Sequence, residues 1–235
     1  MMRRNMLIPA VLSCVVLGLG AFSHAAEPAK RADPAPSAKL PRALLIGDSI
    51  SIGYTRDVKE LLDGKVRVER IRGNAQHTGA GLARLDAWLG DEPWDVIHFN
   101  WGLWDLCYRN PESKTQGHRD KVHGKITFEL PDYERNLREL VRRLKATGAV
   151  LIWANTTPVP EGEAGRFQGD AARYNAVAEK IMRENGIAID DLYAHVLPRM
   201  KELQSQPGNV HFKPEGYRFL AEKVAASILE QLEKR

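Results

Sequence analysis

The chain has 235 residues, which is long enough for one domain of ordinary size with a full hydrophobic core. Hydrophobic residues make up 43% of the sequence and charged residues 27%, proportions that are typical of a globular protein and exclude a wholly disordered one. The net charge of +4 is too small to indicate nucleic-acid binding, and the sequence carries no recognition motif for DNA or RNA.

Residues 1–25 have the pattern of a signal peptide. Arg3 and Arg4 form a basic start, residues 6–22 are apolar, and residues 23–25 give a small-x-small cleavage motif. The apolar run is short for a membrane span, so the pattern predicts export to a secreted or periplasmic location, with no stable membrane anchor. Cleavage would lower the net charge from +4 to +2, because two arginines and no acidic residue are lost.

Residues 26–40 contain several Pro, Ala and basic residues, and this composition predicts a flexible linker. The folded domain is therefore expected over residues 41–235. An alternative for the N-terminus is lipidation at Cys14, because residues 11–14 loosely resemble a lipobox. The apolar run continues past Cys14, which argues against that alternative.

Short apolar runs alternate with amphipathic stretches beyond residue 41. The apolar runs predict strands, and the amphipathic stretches predict helices. Such alternation predicts an α/β fold, in which helices cover both faces of a parallel sheet. The predicted strands are residues 43–46, 66–71, 96–99, 150–153 and 187–189, and the predicted helices are residues 55–62, 81–89, 133–146, 171–185, 193–203 and 214–232.

Ser49 stands at the turn between the first predicted strand and the first predicted helix, in the segment Gly-Asp-Ser-Ile-Ser of residues 47–51. Backbone N–H groups at such a turn are unpaired and favour negative charge. A serine hydroxyl there can act as a nucleophile whose oxyanion is held by the same turn. The alternative is that Ser49 only caps the helix, and the turn by itself does not separate the two interpretations.

Two further turns follow predicted strands. Residues 73–79 read Gly-Asn-Ala-Gln-His-Thr-Gly, and residues 100–105 read Asn-Trp-Gly-Leu-Trp-Asp. The carboxyl ends of parallel strands open onto one edge of the sheet, where the active sites of such folds lie. We therefore expect both turns to converge on Ser49.

His211 lies on the loop that enters the last predicted helix, whose first turn contains Pro214. A histidine held at this point can accept the proton of the Ser49 hydroxyl. A lone histidine is more often structural or exposed to solvent. That interpretation is applied to His77, His98, His118, His123 and His195.

The sequence from about residue 42 to the C-terminus resembles the SGNH hydrolase superfamily, also called GDSL-like esterases. Residues 47–51 match its first block, and residues 210–217, Val-His-Phe-x-Pro-x-Gly-Tyr, match its last block. The resemblance implies a flavodoxin-like three-layer α/β/α sandwich with a mainly parallel five-stranded sheet. It also implies that Ser49 attacks an ester carbonyl, that His211 is the general base, and that no metal or cofactor is needed. Other residues expected near the site are Asp48, Asn74, Asn100, Gly102, Trp104, Asp105 and Asn209.

The third block departs from the pattern of this family, which is Gly-x-Asn-Asp with an Asn that helps to bind the oxyanion. Here Trp104 takes the place of that Asn. An indole N–H donates one hydrogen bond, but its size and reach differ from those of an amide. Asn74 and Asn100 are alternative donors. The loss of such a donor costs about 2.7–4 kcal/mol, so we expect a substitute or a weaker activity.

The last block departs as well, because the family's histidine usually follows an Asp three positions earlier. Gly208 stands at that position, and Asn209 is two residues before His211. The site is then either a Ser–His dyad or one in which a backbone carbonyl, Asn209 or an acid from elsewhere orients the histidine. The second block of the family has no clearly placed glycine here, and its backbone donor is expected near residues 74 and 75, with Gly73 and Gly79 as candidates.

The resemblance and the predicted export imply a serine esterase that acts on a small-molecule or glycan ester, with an O-acetyl group on a carbohydrate as one example. One alternative is a catalytically weakened protein of the same fold that binds carbohydrate, which Trp104 and Gly208 motivate. An acyltransferase is the other alternative, since the same residues would serve it. Residues 106–131 form a polar stretch without periodicity, which either borders the site or is a disordered surface loop.

Overall fold

The computed structural model of the protein describes residues 39–235. The predicted signal peptide over residues 1–25, Cys14 and most of the predicted linker over residues 26–40 lie outside the described residues. Within residues 39–235, no helix is both long enough and apolar enough to cross a membrane.

Five parallel strands form the central sheet, in the order β2-β1-β3-β6-β7. The two remaining strands, β4 and β5, form a separate antiparallel pair. The strands are β1 Arg42–Ile46, β2 Arg67–Arg70, β3 Val96–Phe99, β4 Tyr108–Arg109, β5 Lys125–Ile126, β6 Val150–Ala154 and β7 Ala188–Asp190. The predicted parallel sheet is confirmed, and its strand ends differ from the expected ones by one residue at most.

Helices cover both faces of the sheet and complete a three-layer α/β fold. Helix α1 packs against α7, whereas α2 packs against α3 and α3 against α4. The helices are α1 Ser49–Leu61, α2 Thr78–Leu89, α3 Leu130–Lys145, α4 Asp170–Glu184, α5 Leu192–Val196, α6 Met200–Leu203 and α7 Pro214–Glu233.

Helices α2 and α3 each begin three residues before their predicted starts, and two other helix predictions need larger corrections. Helix α1 begins at Ser49 rather than at residue 55, because the Asp48 carboxylate caps it by accepting a 2.9 Å hydrogen bond from the Ile50 N–H. The predicted helix over residues 193–203 is broken into α5, a 3₁₀ turn over Leu197–Arg199 and α6. Pro198 lies in that 3₁₀ turn, and its missing N–H and fixed φ interrupt a continuous α-helix.

The contact between α1 and α7 brings the two ends of the domain together. A Cβ atom on Gly53 of α1 would lie 2.0 Å from the ring of Tyr217 on α7, so only glycine permits this approach. The loop that precedes α7 carries His211, and Ser49 is the first residue of α1. The packing of these two helices therefore sets the distance between the two predicted reactive side chains.

Residues 106–131 are ordered, in contrast to the surface-loop alternative. They contain the β4–β5 pair and a 3₁₀ turn over Gln116–His118. The Tyr108 N–H donates to the carbonyl of Gly165, and the Lys121 N–H donates to that of Ala164, so the segment is attached to the loop between β6 and α4. This attachment places the segment beside the carboxyl edge of the sheet.

Candidate active site

Ser49 and His211 are in direct contact. The Ser49 hydroxyl lies 2.8 Å from Nε2 of His211. Ser49 follows the carboxyl end of β1, and His211 lies on the loop before α7. Both side chains are half-buried, so they are accessible to a small substrate and partly shielded from water. This contact has the geometry of a nucleophile and its general base.

Asn209 orients the imidazole of His211. Oδ1 of Asn209 lies 2.8 Å from Nδ1 of His211 and also accepts a 3.0 Å hydrogen bond from the backbone N–H of His211. Since a backbone N–H can only donate, the shared atom of Asn209 is an oxygen. Nδ1 of His211 therefore carries the proton, and Nε2 is the free acceptor that faces the Ser49 hydroxyl.

Gly208 stands three positions before His211, where the resemblance to SGNH hydrolases implies an Asp. Its φ is +72°, a conformation that other residues rarely adopt, and an added Cβ would lie 2.9 Å from the carbonyl oxygen of Gly162. An aspartate at this position would be strained and would collide with the neighbouring loop. Among the orienting groups considered from the sequence, the one in contact with Nδ1 is Asn209.

Burial lowers the pKa of His211 below its ordinary value of 6.5. Asp48 opposes this change, while the positive charges of Arg166 and Arg119 add to it. Burial also raises the pKa of Asp48 above 3.8, although the hydrogen bond from the Ile50 N–H favours its ionised form. At neutral pH the imidazole is therefore uncharged and able to accept a proton.

Asn74 lies on the wall of the Ser49 cavity. Its Oδ1 accepts a 2.8 Å hydrogen bond from the Gln76 N–H, which identifies Nδ2 as the remaining side-chain donor. The neighbouring Ala75 N–H is already occupied by the carbonyl of Gly47. Within the described part of the chain, the backbone N–H of Ser49 and Nδ2 of Asn74 have no hydrogen-bond acceptor, so both are free to bind an oxyanion.

Of the two residues Asn100 and Trp104, only Trp104 lines the Ser49 cavity. Nδ2 of Asn100 donates a 2.8 Å hydrogen bond to the carbonyl of Ala154, and Asn100 lines a smaller cavity that does not include Ser49. Trp104 does line the Ser49 cavity, where the guanidinium of Arg109 lies 4.4 Å from the centre of its ring. The structure thus brings Trp104 and Asn74, but not Asn100, to the predicted nucleophile.

Gly102 and Asp105 hold the surrounding loops and do not line the Ser49 cavity. A Cβ on Gly102 would lie 2.0 Å from Oγ1 of Thr156, so glycine is needed for this close packing. Oδ1 of the fully buried Asp105 accepts hydrogen bonds from the backbone and the hydroxyl of Thr78, at 2.9 and 2.5 Å. Burial raises the pKa of Asp105 from 3.8 to about 7.

The five histidines for which the sequence favours a structural or exposed position do not line this cavity. Nδ1 of His77 accepts from the Ala80 N–H at the start of α2, and His98 is buried 2.9 Å from Asp190. His195 stacks on Phe219, while His118 and His123 are exposed.

Arg70 holds loops of the candidate site together, a role that the sequence did not predict. Its guanidinium donates to the carbonyls of Gly47, Asp48, Ile71 and Gly73 and to the Ser51 hydroxyl, at distances of 2.7 to 3.3 Å. One side chain therefore joins the turn that carries Ser49 to the loop that carries Asn74. In the sequence of β2, Arg70 is two positions after Val68 and so shares its face of the strand. This spacing indicates partial burial of Arg70 but not its hydrogen bonds to the two loops.

The cavity at Ser49 has a volume of about 280 Å³. Three arginines that the sequence reasoning also missed, Arg109, Arg119 and Arg166, line it. Within residues 39–235, no group of three or more His, Cys, Asp or Glu side chains is arranged to hold a metal ion.

A serine hydroxyl that contacts an oriented histidine at the carboxyl edge of a parallel sheet is an arrangement found in serine hydrolases. A sequence model of the GDSL-like Lipase/Acylhydrolase family matches residues 45–219. The chain belongs to this family, and it is a carboxylic ester hydrolase. No curated protein matches it by sequence.

Solved structures of similar fold include esterases. The lipase/acylhydrolase from Enterococcus faecalis is 20% identical, with a TM-score of 0.65 over 80% of this chain and 95% of that one. Axe2, an acetylxylan esterase from Geobacillus stearothermophilus, is 19% identical, with a TM-score of 0.64 over 80% of this chain and 94% of that one. The acetyl xylan esterase AlAXEase is 18% identical, with a TM-score of 0.61 over 80% and 99%. These similarities confirm the fold.

Proposed function

We propose that the protein is a secreted serine esterase that hydrolyses an O-acyl ester, with Ser49 as the nucleophile and His211 as the general base. The observation that carries this proposal is the 2.8 Å contact between the Ser49 hydroxyl and Nε2 of His211. The hydrogen bond from Nδ1 of His211 to Asn209 supports it, because it leaves Nε2 unprotonated.

The reaction proceeds in two acyl-transfer steps. The Ser49 hydroxyl gives its proton to Nε2 of His211 while its oxygen attacks the acyl carbon. The tetrahedral intermediate then collapses, and His211 returns the proton to the oxygen of the leaving alcohol. Water next attacks the acyl-enzyme, with His211 again accepting a proton, and the acid and free Ser49 are released.

The oxyanion of each tetrahedral intermediate is held by the backbone N–H of Ser49 and by Nδ2 of Asn74. Both donors belong to residues that line the Ser49 cavity. The Ser49 N–H lies at the N-terminus of α1, where the helix dipole favours negative charge. In this proposal Asn74 replaces the amide that the third block lacks at Trp104.

The substrate is an O-acetyl ester of a carbohydrate. The printed names of two proteins of similar fold, which are acetyl xylan esterases, support this class. The half-buried indole of Trp104 offers an aromatic surface at the cavity wall for a sugar ring. Residues 1–25 act as a signal peptide, residues 26–40 as a linker and residues 41–235 as the catalytic domain, which places the enzyme outside the cytoplasm.

The substitutions Ser49→Ala and His211→Ala test the mechanism. Each should abolish hydrolysis of p-nitrophenyl acetate by purified protein, since each removes one half of the reacting pair. The melting temperature of Ser49→Ala should stay within about 2 °C of that of the wild type, because the hydroxyl is half-buried and His211 is its one side-chain partner among residues 39–235. Unchanged activity in Ser49→Ala would refute the mechanism, and product analysis with added alcohols would separate hydrolysis from acyl transfer.

A further inference from the structure

The cavity beside Ser49 is lined by more positively than negatively charged side chains. Arg109 on β4, Arg119 just after the Gln116–His118 turn and Arg166 in the loop before α4 all line it. The proposed hydrolysis needs none of these three guanidinium groups.

Two carboxylates partly balance the three arginines. Oε1 of the fully buried Glu163 accepts hydrogen bonds from Nη1 of Arg119 and Nη1 of Arg166, each at 2.7 Å, and its Oε2 accepts from the Gly165 N–H. Asp48 is the one carboxylate among the described residues that line the cavity itself. Even with both carboxylates ionised, the site keeps one positive charge in excess.

Arg166 is only 5% exposed, yet its hydrogen bonds are incomplete. Its Nε donates to the carbonyl of Leu103 at 2.6 Å, and its Nη1 donates to Glu163. Its Nη2 has no acceptor within the described part of the chain. Nη2 of Arg166 is not among the fully buried polar atoms that lack a partner in the described residues, so it is open to the cavity and can donate to a ligand there.

The guanidinium groups of Arg119 and Arg109 also keep donors that have no acceptor among the described residues. Nε of Arg119 donates to the carbonyl of Gln116 at 2.9 Å, and its Nη2 has no acceptor among residues 39–235. Arg109 has no carboxylate partner in the same range. Its Nη1 donates to the carbonyl of Gly117, and its guanidinium lies over the ring of Trp104. Three arginines therefore present unpaired donors around one cavity that also contains Ser49.

We propose that the ester substrate is an acidic sugar, whose carboxylate binds to the unpaired guanidinium donors of Arg119, Arg166 and Arg109 while its acyl group is held at Ser49. Guanidinium groups match planar carboxylates in geometry as well as in charge. This inference rests on the esterase function proposed above, and it narrows the substrate of that site from O-acylated carbohydrates in general to O-acylated uronic acids.

Three matched substrates test this inference: mono-O-acetylated methyl glucuronoside, its carboxyl methyl ester and the corresponding O-acetylated methyl glucoside. We expect kcat/KM for the acid to exceed that for either neutral compound by about tenfold to hundredfold, the range for a charge-assisted hydrogen bond. The preference should decrease as salt is added, because the cavity is open to solvent and its charges are screened.

Two variants locate the effect. Arg119→Gln and Arg109→Gln should each reduce the ratio of kcat/KM for the acid to that for its methyl ester by about tenfold. Arg56→Gln is the matched control, because Arg56 is exposed on α1 and has no ion pair among the described residues. The ratio should be the same in the control as in the wild type.

The outcomes separate this inference from the proposed function. Hydrolysis of p-nitrophenyl acetate without any preference for the acidic sugar, or with a preference that both arginine variants retain, would overturn the acidic-sugar inference and leave the esterase mechanism intact. If the protein hydrolyses neither p-nitrophenyl acetate nor any of the three sugar esters, the proposed function and the inference are both refuted.

Discussion

Asn209 gives His211 its orientation through a neutral amide, where a carboxylate would add charge. The amide fixes the tautomer, because its oxygen accepts from both the backbone N–H and Nδ1 of His211. A neutral acceptor stabilises the imidazolium less than a carboxylate does. The proposed mechanism therefore operates with a correctly oriented base whose protonated form receives little electrostatic support from Asn209.

The substitution Asn209→Asp should raise the pKa that governs the rate at low pH. In the wild type, only the neutral imidazole can accept the Ser49 proton, and burial lowers the pKa of His211 below 6.5. We therefore expect kcat/KM to rise with pH through a midpoint below 6.5. A carboxylate next to Nδ1 favours the imidazolium, so the midpoint in Asn209→Asp should move upward by about one unit, with a higher kcat on its plateau.

Asn209→Ala is the matched variant for this measurement. It removes the acceptor at Nδ1 without adding charge, so we expect kcat to fall by about tenfold or more. A pH profile measured with p-nitrophenyl acetate distinguishes these effects from a loss of folding. An unchanged midpoint in Asn209→Asp and an unchanged kcat in Asn209→Ala would show that Asn209 does not position the base.

At this scale the sequence predicted the proposed reactive pair, whose side chains the structure places in contact, but not its surroundings. Ser49 and His211 stand in local patterns, a strand-to-helix turn and a helix entry, that can be recognised from neighbouring residues. The role of Asn209 depends on the positive φ of Gly208 and on its approach to Gly162, which is 46 positions away in the chain. The residues that neighbour Gly208 in the sequence give no indication of its contact with Gly162.

At the level of elements, the N-terminus of α2 is held by a residue from another loop. Asp105 accepts hydrogen bonds from the backbone and hydroxyl of Thr78, and its Oδ2 has no partner within the described part of the chain. Asn136 on α3 donates to the same Thr78 hydroxyl at 3.2 Å. Burial disfavours the ionised carboxylate and raises the pKa of Asp105 to about 7.

This raised pKa predicts a pH-dependent contribution to stability. Between pH 3.8 and about 7, the unfolded state has released the Asp105 proton while the folded state still holds it. The folded state binds more protons in this window, so the contribution of Asp105 to the free energy of unfolding decreases as pH rises, by up to about 1.4 kcal/mol per pH unit. Above about pH 7 the contribution is constant.

Asp105→Asn isolates this effect, because it keeps the Oδ1 acceptor and removes the titration. The difference between the unfolding free energies of wild type and variant, measured by denaturant titration at several values from pH 4 to pH 8, should shift progressively in favour of the variant up to about pH 7. A difference that stays constant across this range would contradict the prediction.

The positions of the elements and the ends of the main-sheet strands were largely predictable, whereas the starts of several helices were not. Apolar runs located all five strands of the main sheet, because buried parallel strands have few polar residues. The first six residues of α1 were missed, since the segment Ser-Ile-Ser-Ile-Gly-Tyr has no clear helical periodicity and its helix depends on the Asp48 cap. The β4–β5 pair has two residues per strand, too few for any periodic pattern.

At the level of the whole molecule, the sheet order explains why the site lies where it does. Strand β1 lies between β2 and β3 in the sheet. The chain passes from β1 to β2 on one side, and then crosses over to form β3 on the other side of β1. The crevice at the carboxyl ends of β1 and β3 is the point where ligands bind in such sheets. Ser49 begins α1 directly after β1, and the packing of α7 on α1 brings His211 to it.

The charge of the cavity could not be predicted from the sequence. Arg109, Arg119 and Arg166 are far apart in the chain, and each has the appearance of an ordinary surface arginine. Tertiary contacts of the segment over residues 106–131 with the loop before α4 bring them together around one cavity, where Glu163 pairs with Arg119 and Arg166. The fold follows from hydrophobic patterning, whereas the proposed specificity of the site depends on loops that have no such pattern.

The central claim is that Ser49 is a nucleophile activated by His211, and labelling with a fluorophosphonate probe followed by peptide mass spectrometry tests it most directly. The account predicts one adduct per molecule, on Ser49, in the wild type, none in Ser49→Ala, and strongly slowed labelling in His211→Ala. Absence of an adduct in folded wild-type protein, or an adduct on another residue, would contradict the account, and retained polysaccharide binding without labelling would favour a carbohydrate-binding protein on an esterase fold.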